Sequence, residues 1–91
     1  MIDILVIASL VAMANDYDYF NYNCWDYTTD LYNSLRLNGY NPKIVMGMMD
    51  GYKAHAWISI NGEWIESTTG QPIIDRSRYK FGYFGVTKWR L

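Results

Sequence analysis

Residues 54–69, with the sequence AHAWISINGEWIESTT, decide the predicted fold of this chain. Two apolar segments flank Asn61 and Gly62, the dipeptide that most strongly favours a tight β-hairpin turn. The turn predicts a register in which Ser59 faces Trp64. Because side chains alternate across a strand, this register decides which residues share a face of the sheet.

The same register brings two chemically complementary side chains onto one face. It predicts Trp57 opposite Glu66 and His55 opposite Thr68, so His55 and Glu66 lie diagonally within reach of each other. A carboxylate beside an imidazole orients the ring, fixes its tautomer and raises its basicity. A slip of one residue would move Glu66 to the opposite face, so this prediction depends on the turn.

The lone cysteine begins a predicted helix. Residues 24–38 have the apolar spacing of a helix, Asn23 or Asn21 can cap its first turn, and Gly39 ends it. At a helix start, the dipole and the free N–H groups lower the pKa of a thiol and can stabilise an oxyanion. Cys24 there, a histidine on a strand and an acid on the next strand are the groups that covalent cysteine catalysis needs.

The remaining pattern predicts one small α+β domain over residues 1–91. Residues 3–14 are apolar nearly all round and predict a first helix packed on several sides. A meander of about four antiparallel strands is expected to follow the second helix. These strands are predicted at residues 43–49, 54–60, 63–69 and, weakened by two glycines, 80–86.

Composition argues against several classes of protein. The formal net charge of −1 gives no reason to expect a nucleic-acid partner. A single cysteine excludes an internal disulfide, and with a single histidine it cannot form the usual structural zinc site. The apolar opening MIDILVIASLVAMA is shorter than a membrane span and has Asp3 where a signal peptide carries a basic residue. We therefore expect no metal, no membrane span and a cytoplasmic location.

Each of the three candidate residues also has a purely structural explanation. Cys24 can be a packed thiol, His55 a core histidine bonded to the backbone, and Glu66 a solvated carboxylate. Their joint arrangement favours catalysis over these separate explanations. A serine nucleophile at Ser59 fits less well, because that residue lies in mid-strand beside Trp64.

Two segments resemble the signatures of transglutaminase-like domains, which belong with the papain-like cysteine enzymes. NCWDYTTDLYNSLRLNGYNPKIVMG, at 23–47, resembles the nucleophile helix, with an aromatic residue after the cysteine, a turn with glycine and a strand. HAWISINGEWIESTTG, at 55–70, resembles the second signature, a histidine with a tryptophan two places on, then a hairpin and a second tryptophan before an acid. The resemblance covers roughly residues 20–70 and implies a papain-like, transglutaminase-core-like fold.

The resemblance also implies roles for these residues. Cys24 would be the nucleophile, His55 the general base and acid, and Glu66 the group that orients the histidine, without a cofactor. Members of the family hydrolyse peptide or amide bonds, or transfer an acyl group to an amine, so a peptide or protein amide is the expected partner. The family's acid is usually an aspartate, whose position falls near Thr68, so the third member is either Glu66 or a residue near Thr68.

Further site residues are candidates by position. Trp25 and Trp57 are candidates for the walls of a substrate cleft. The oxyanion candidates precede the cysteine, at Asn21, Tyr22 and Asn23. NlpC-type peptidases share the order of cysteine helix and histidine strand, but small residues follow their cysteine where this chain has Trp25 and Asp26. The alternative function is a non-catalytic binding or accessory module that retains the fold, alone or as a homodimer.

Overall fold

The computed structural model describes residues 2–18, 22–51 and 53–81. These residues form two α-helices and a five-stranded antiparallel sheet. The helices are α1 (Ile4–Met13) and α2 (Cys24–Leu37), and a short 3-10 helix covers Arg76–Arg78. The strands are β1 (Lys43–Met49), β2 (Lys53–Ile60), β3 (Glu63–Glu66), β4 (Gln71–Pro72) and β5 (Tyr79–Phe81). The α+β class predicted from the sequence is confirmed.

The hairpin between β2 and β3 has the predicted turn and register. Ser59 faces Trp64, as the turn predicts. Asn61 and Gly62 have φ angles of 52° and 79°, the left-handed conformations that a two-residue type I′ turn requires. The turn chemistry of the sequence therefore determines which side chains of the hairpin share a face.

β3 ends earlier than predicted. The segment 67–70 is a turn, in which the N–H of Gly70 donates to the carbonyl oxygen of Glu66 at 2.8 Å. The ladder between β2 and β3 ends at the pair Ile58 and Ile65. The predicted pairings of Trp57 with Glu66 and of His55 with Thr68 are therefore not part of the ladder. Glu66 is the last residue of its strand, directly before the turn.

The strand order is β4-β3-β2-β1-β5, which differs from the predicted meander. β5 does not continue beside β4 but crosses to the other edge, where Tyr79 faces Met49 of β1. β4 was not predicted, and its Pro72 lies at a sheet edge, where a residue without an N–H is tolerated. The strand predicted at 80–86 is described as far as Phe81, and residues 82–86 lie outside the described part of the chain.

The main core lies between α2 and one face of the sheet. Leu31 and Leu35 of α2 are fully buried there. They pack with the buried isoleucines of the sheet, Ile44, Ile58, Ile60 and Ile65. Full burial of such a side chain contributes about 1.5–3 kcal/mol. This layer therefore fixes α2, and with it Cys24, against the sheet.

α1 packs on one side only, so the prediction of a helix packed on several sides is wrong. Asp3 caps its first turn, and Ile7 and Ala8 are buried. Val6 and Leu10 remain 49% and 57% exposed. The reason is that the main neighbours of α1 are α2 and the two-residue strand β4, which cover only one face of the helix. Within the described ranges, neither helix has the length and apolar content needed to cross a membrane.

Candidate active site

Cys24 is the first residue of α2 and is half-buried. Asn23 caps this helix, since its side-chain oxygen accepts from the N–H of Trp25 at 3.0 Å. The N–H of Asn23 donates to the Asp26 carboxylate at 2.9 Å, which completes a capping box. The predicted cap is confirmed, and the thiol lies where the helix dipole favours a negative charge.

His55 lies on β2 and is only 5% exposed. Its Nε2 is 2.8 Å from Oε2 of Glu66. Because an ionised carboxylate only accepts hydrogen bonds, we assign the proton of this pair to Nε2. Nδ1 is buried and has no hydrogen-bond partner among the described residues. In the neutral ring, Nδ1 is therefore the nitrogen that can take up a proton.

The thiol of Cys24 and the ring of His55 lie close enough to change each other's protonation. Burial disfavours both charged forms, but the interaction with His55 outweighs burial for Cys24, and the interactions with Cys24 and Glu66 outweigh it for His55. The pKa of Cys24 is lowered, with a further contribution from the backbone of Ala56, and the pKa of His55 is raised to about 9. The pair thus favours a thiolate beside an imidazolium. Nδ1 makes no hydrogen bond of ordinary geometry among the described residues, and such a bond often tightens only when substrate binds.

The carboxylate of Glu66 is held by three side chains. Besides His55, the hydroxyl of Tyr79 donates to Oε2 at 3.0 Å, and the hydroxyl of Thr68 donates to Oε1 at 3.2 Å. Burial raises the pKa of Glu66, but bonding to His55, the charge of that ring, and the bonds from Tyr79 and the Thr68 backbone lower it overall. Glu66 is therefore ionised and oriented toward the imidazole, while Thr68 supports Glu66 and does not contact the ring through any described hydrogen bond.

Aromatic rings support the histidine from inside the fold. Trp57 is 0% exposed, and its ring centroid lies 6.0 Å from that of His55. Trp64 and Tyr79 pack on Trp57, with centroids 5.1 Å and 5.2 Å away. Trp57 therefore lies beneath His55 in the interior, and not on the surface of a cleft as its sequence position suggests.

Gly47 makes room for this aromatic layer. It lies opposite His55 on β1. A Cβ at this position would lie 2.2 Å from the carbonyl oxygen of Lys80 and 2.9 Å from the ring of Trp57. The contact with the Lys80 carbonyl oxygen could be relieved only by moving the backbone of β5 or β1. The close approach of β5 to β1 therefore depends on glycine at position 47. That approach brings Tyr79 to the site.

The other predicted site residues that the structure describes make contacts that differ from their predicted roles. Trp25 is partly buried and packs against the core between α2 and the sheet. Among the oxyanion candidates, Asn21 lies outside the described residues. The hydroxyl of Tyr22 donates to Asp30, and the side-chain oxygen of Asn23 is engaged in capping α2. These two side chains thus have structural partners of their own.

Sequence reasoning missed three residues that support the site. Tyr79 was placed in no predicted element, and its distance along the chain from Glu66 hides their contact. Thr28 and Ser67 are both fully buried, with their hydroxyl oxygens 2.9 Å apart. Thr28 lies within the helix predicted at 24–38, but nothing in the sequence indicates that Ser67 is its partner.

Across the described ranges, no group of three histidine, cysteine, aspartate or glutamate side chains is arranged to hold a metal ion. No protein-family model, curated protein or solved structure matches this chain. The site geometry and the two signature-like segments are therefore the basis for a functional proposal.

Proposed function

We propose that this protein is a cysteine-dependent hydrolase or acyl transferase that acts on peptide or peptide-like amides through Cys24, His55 and Glu66. One observation carries the proposal. The half-buried cysteine at a capped helix start is coupled to a histidine whose other ring nitrogen lies 2.8 Å from a carboxylate. The resemblance to transglutaminase-like domains supports the same roles and a papain-like arrangement of helix and sheet.

The proposed reaction begins with the thiolate of Cys24. Its sulfur attacks the carbonyl carbon of the amide, and the C–N bond then breaks as the His55 imidazolium gives its proton to the leaving amine. The product of this half is a thioester on Cys24. In the second half, His55 takes a proton from water or from an amine, which attacks the thioester and releases the thiolate. Glu66 keeps the ring oriented and stabilises its charged form throughout.

Hydrolysis is the favoured outcome of the second half. Transfer to an amine requires a site that binds the amine and excludes water from the thioester. Among the described residues, Trp25 packs against the core and Trp57 is buried beside His55, so neither aromatic side chain forms a wall that would shield the thioester from water. We therefore propose water as the usual acceptor and a peptide or peptide-like amide as the substrate.

The first test measures whether Cys24 is activated. Because the chain has one cysteine, alkylation by iodoacetamide reports on this thiol alone and can be followed by intact mass. We expect the alkylation rate to be already high near neutral pH, since the pKa of Cys24 is lowered. Alkylation that rises only above about pH 8, as for a free thiol, would contradict the proposal.

The second test measures turnover. The full chain is incubated with a panel of fluorogenic peptide amides, with and without an added primary amine. We expect Cys24→Ala and His55→Ala to abolish release of the fluorophore, and hydroxylamine to cleave an acyl-enzyme trapped on the wild type. Release that persists in Cys24→Ala would show that another group or a contaminant carries the activity.

A non-catalytic binding module is the second candidate, and the apolar surface of α1 favours it. Leu5, Val6, Leu10 and Met13 are 42%, 49%, 57% and 81% exposed, an amount of apolar surface that suits a protein contact. In such a module Cys24 would be an ordinary packed thiol. A normal alkylation profile together with no turnover would favour this candidate.

A further inference from the structure

Tyr79 meets the same carboxylate oxygen that binds the histidine. Its hydroxyl donates to Oε2 of Glu66 at 3.0 Å, while Nε2 of His55 lies 2.8 Å from that oxygen. The other oxygen, Oε1, accepts from the hydroxyl of Thr68 at 3.2 Å and lies 3.5 Å from the Thr68 N–H. Each oxygen thus has its own protein donors, so the plane of the carboxylate is fixed and Oε2 is directed at the ring.

The position of Tyr79 is set by contacts that do not involve Glu66. β5 pairs with β1 through Tyr79 and Met49. The preceding residue, Arg78, binds both carboxylate oxygens of Asp50 at 2.7 Å and 2.8 Å, and its carbonyl oxygen accepts from the Asp50 N–H at 2.7 Å. The ring of Tyr79 also packs edge-on against Trp57 at a centroid distance of 5.2 Å. These contacts therefore hold the hydroxyl of Tyr79 in position independently of its hydrogen bond to the Glu66 carboxylate.

A surface groove is lined by both Glu66 and Tyr79. It has a volume of about 540 Å³, and Glu66, Thr68 and Tyr79 form part of its wall. Water in this groove would compete for the carboxylate oxygens if the hydroxyl of Tyr79 were absent. Tyr79 and Glu66 thus share a wall of this groove, whereas His55 does not line it.

We propose that Tyr79 is a positioning residue, which acts with Thr68 to hold Glu66 against His55 and so maintains the charged state of His55 and Cys24. This inference rests on the proposed function for its catalytic meaning. The titratable groups that face His55 among the described residues are Cys24 from α2, Glu66 from β3 and Tyr79 from β5, whose ring centroid lies 6.1 Å from that of His55. Tyr79 from β5 lies against Glu66. The charged residues next to Tyr79 are Arg78 and Asp50.

The test replaces Tyr79 by phenylalanine, which removes the hydroxyl and keeps the ring. Because the chain has a single histidine, an NMR titration of the imidazole proton signals reports on His55 without further assignment. We expect the pKa of His55 to fall in Tyr79→Phe, because a less constrained carboxylate supports the imidazolium less well. Alkylation of Cys24 at pH 7 should slow by about three- to tenfold, the typical net value of one hydrogen bond.

Tyr40→Phe is the matched control. It also removes one phenol hydroxyl, which donates to the carbonyl oxygen of Ile2 at 2.8 Å, away from the site. We expect the His55 titration and the Cys24 alkylation rate to stay at wild-type values in this variant. Thr68→Val removes the donor to Oε1 while the aromatic layer stays intact, and should lower the His55 pKa in the same direction as Tyr79→Phe.

Several outcomes would overturn the role of Tyr79. A His55 pKa that is unchanged or raised in Tyr79→Phe would mean that the hydroxyl only competes with the ring for the carboxylate. A lower melting temperature with an unchanged titration would mean that its role is structural. If Tyr79→Phe folds poorly, an unchanged titration in Thr68→Val overturns the proposal in its place.

The titration also separates this inference from the proposed function. If wild-type Cys24 reacts as a free thiol and no amide is cleaved, the proposed function fails, yet the effect of Tyr79 on His55 can still be read by NMR. If amides are cleaved but the titration does not respond to Tyr79→Phe, only the role of Tyr79 fails.

Discussion

The hydroxyl oxygens of Thr28 and Ser67 lie 2.9 Å apart in the fully buried interior, although 39 residues separate them along the chain. Thr28 is one helical turn after Cys24, and Ser67 directly follows Glu66. The hydroxyl of Thr28 also lies 3.2 Å from the carbonyl oxygen of Ala56, the residue after His55. The Thr28 hydroxyl has one proton, which it can donate to the carbonyl oxygen of Ala56. The same hydroxyl oxygen can then accept a hydrogen bond from the hydroxyl of Ser67. These bonds join the three segments that carry the proposed triad.

Thr28→Val should therefore destabilise the protein and weaken the site together. The change keeps the shape but leaves buried polar groups at Ser67 and Ala56 without their partner, at a cost of about 1–3 kcal/mol in the free energy of unfolding. Urea denaturation measures this cost, and the Cys24 alkylation rate should fall in parallel. Thr29→Val is the matched control, since the Thr29 hydroxyl is buried without a hydrogen-bond partner in the described part of the chain. Equal destabilisation by both variants would contradict the role of Thr28.

Asn23→Ala should reduce both helix stability and thiol reactivity. It removes the side-chain oxygen that accepts from the N–H of Trp25 at 3.0 Å, and loss of such a cap costs about 1 kcal/mol. A frayed first turn would also support the Cys24 thiolate less well, so alkylation at pH 7 should slow. Asn33→Ala, at an exposed position within α2, serves as the control and should not reduce either quantity. Wild-type alkylation in Asn23→Ala would show that the cap does not influence the thiol.

Short-range chemistry explains which parts of the fold were predictable. Asn61 and Gly62 determine a turn and its register, and Asn23 and Gly39 determine the two ends of α2, because each signal acts on its neighbouring backbone. These elements carry His55 and the proposed nucleophile. The diagonal relation of His55 to Glu66 follows from the alternation of side chains and was accessible from the sequence.

Long-range contacts explain what was not predictable. The crossing of β5 to β1 depends on Gly47, whose missing side chain leaves room for the Lys80 carbonyl, and no local pattern indicates that partner. The contact between Tyr79 and Glu66 follows from this crossing. The exposed face of α1 was also not predicted. An all-apolar helix predicts burial on several sides, whereas the two-residue strand β4 covers little of the helix.

Glu66→Gln should change stability in a way that depends on pH. The folded-state pKa of His55 is raised to about 9 from an ordinary value of 6.5, so the protonated ring stabilises the fold fully below 6.5, and this contribution is lost as pH rises through about 9. The folded-state pKa of Glu66 is lowered from 4.5, so its contribution is present above 4.5 and is lost as pH falls through the folded-state value. The gap in unfolding free energy between wild type and Glu66→Gln should therefore be widest between about 4.5 and 6.5 and shrink toward about 9.

Urea denaturation at a series of pH values measures this gap, with Glu63→Gln as the matched control. Glu63 is an exposed acid on the same strand, so its gap to wild type should be small throughout the series. The Glu66→Gln comparison is then repeated in a Cys24→Ser background, which removes the titration of the thiol. The pH dependence that remains reports on the interaction between the Glu66 carboxylate and the His55 ring. A gap for Glu66→Gln that stays constant from acid to alkaline pH would mean that the carboxylate does not stabilise a charged His55, and the orienting role of Glu66 would then have no electrostatic basis.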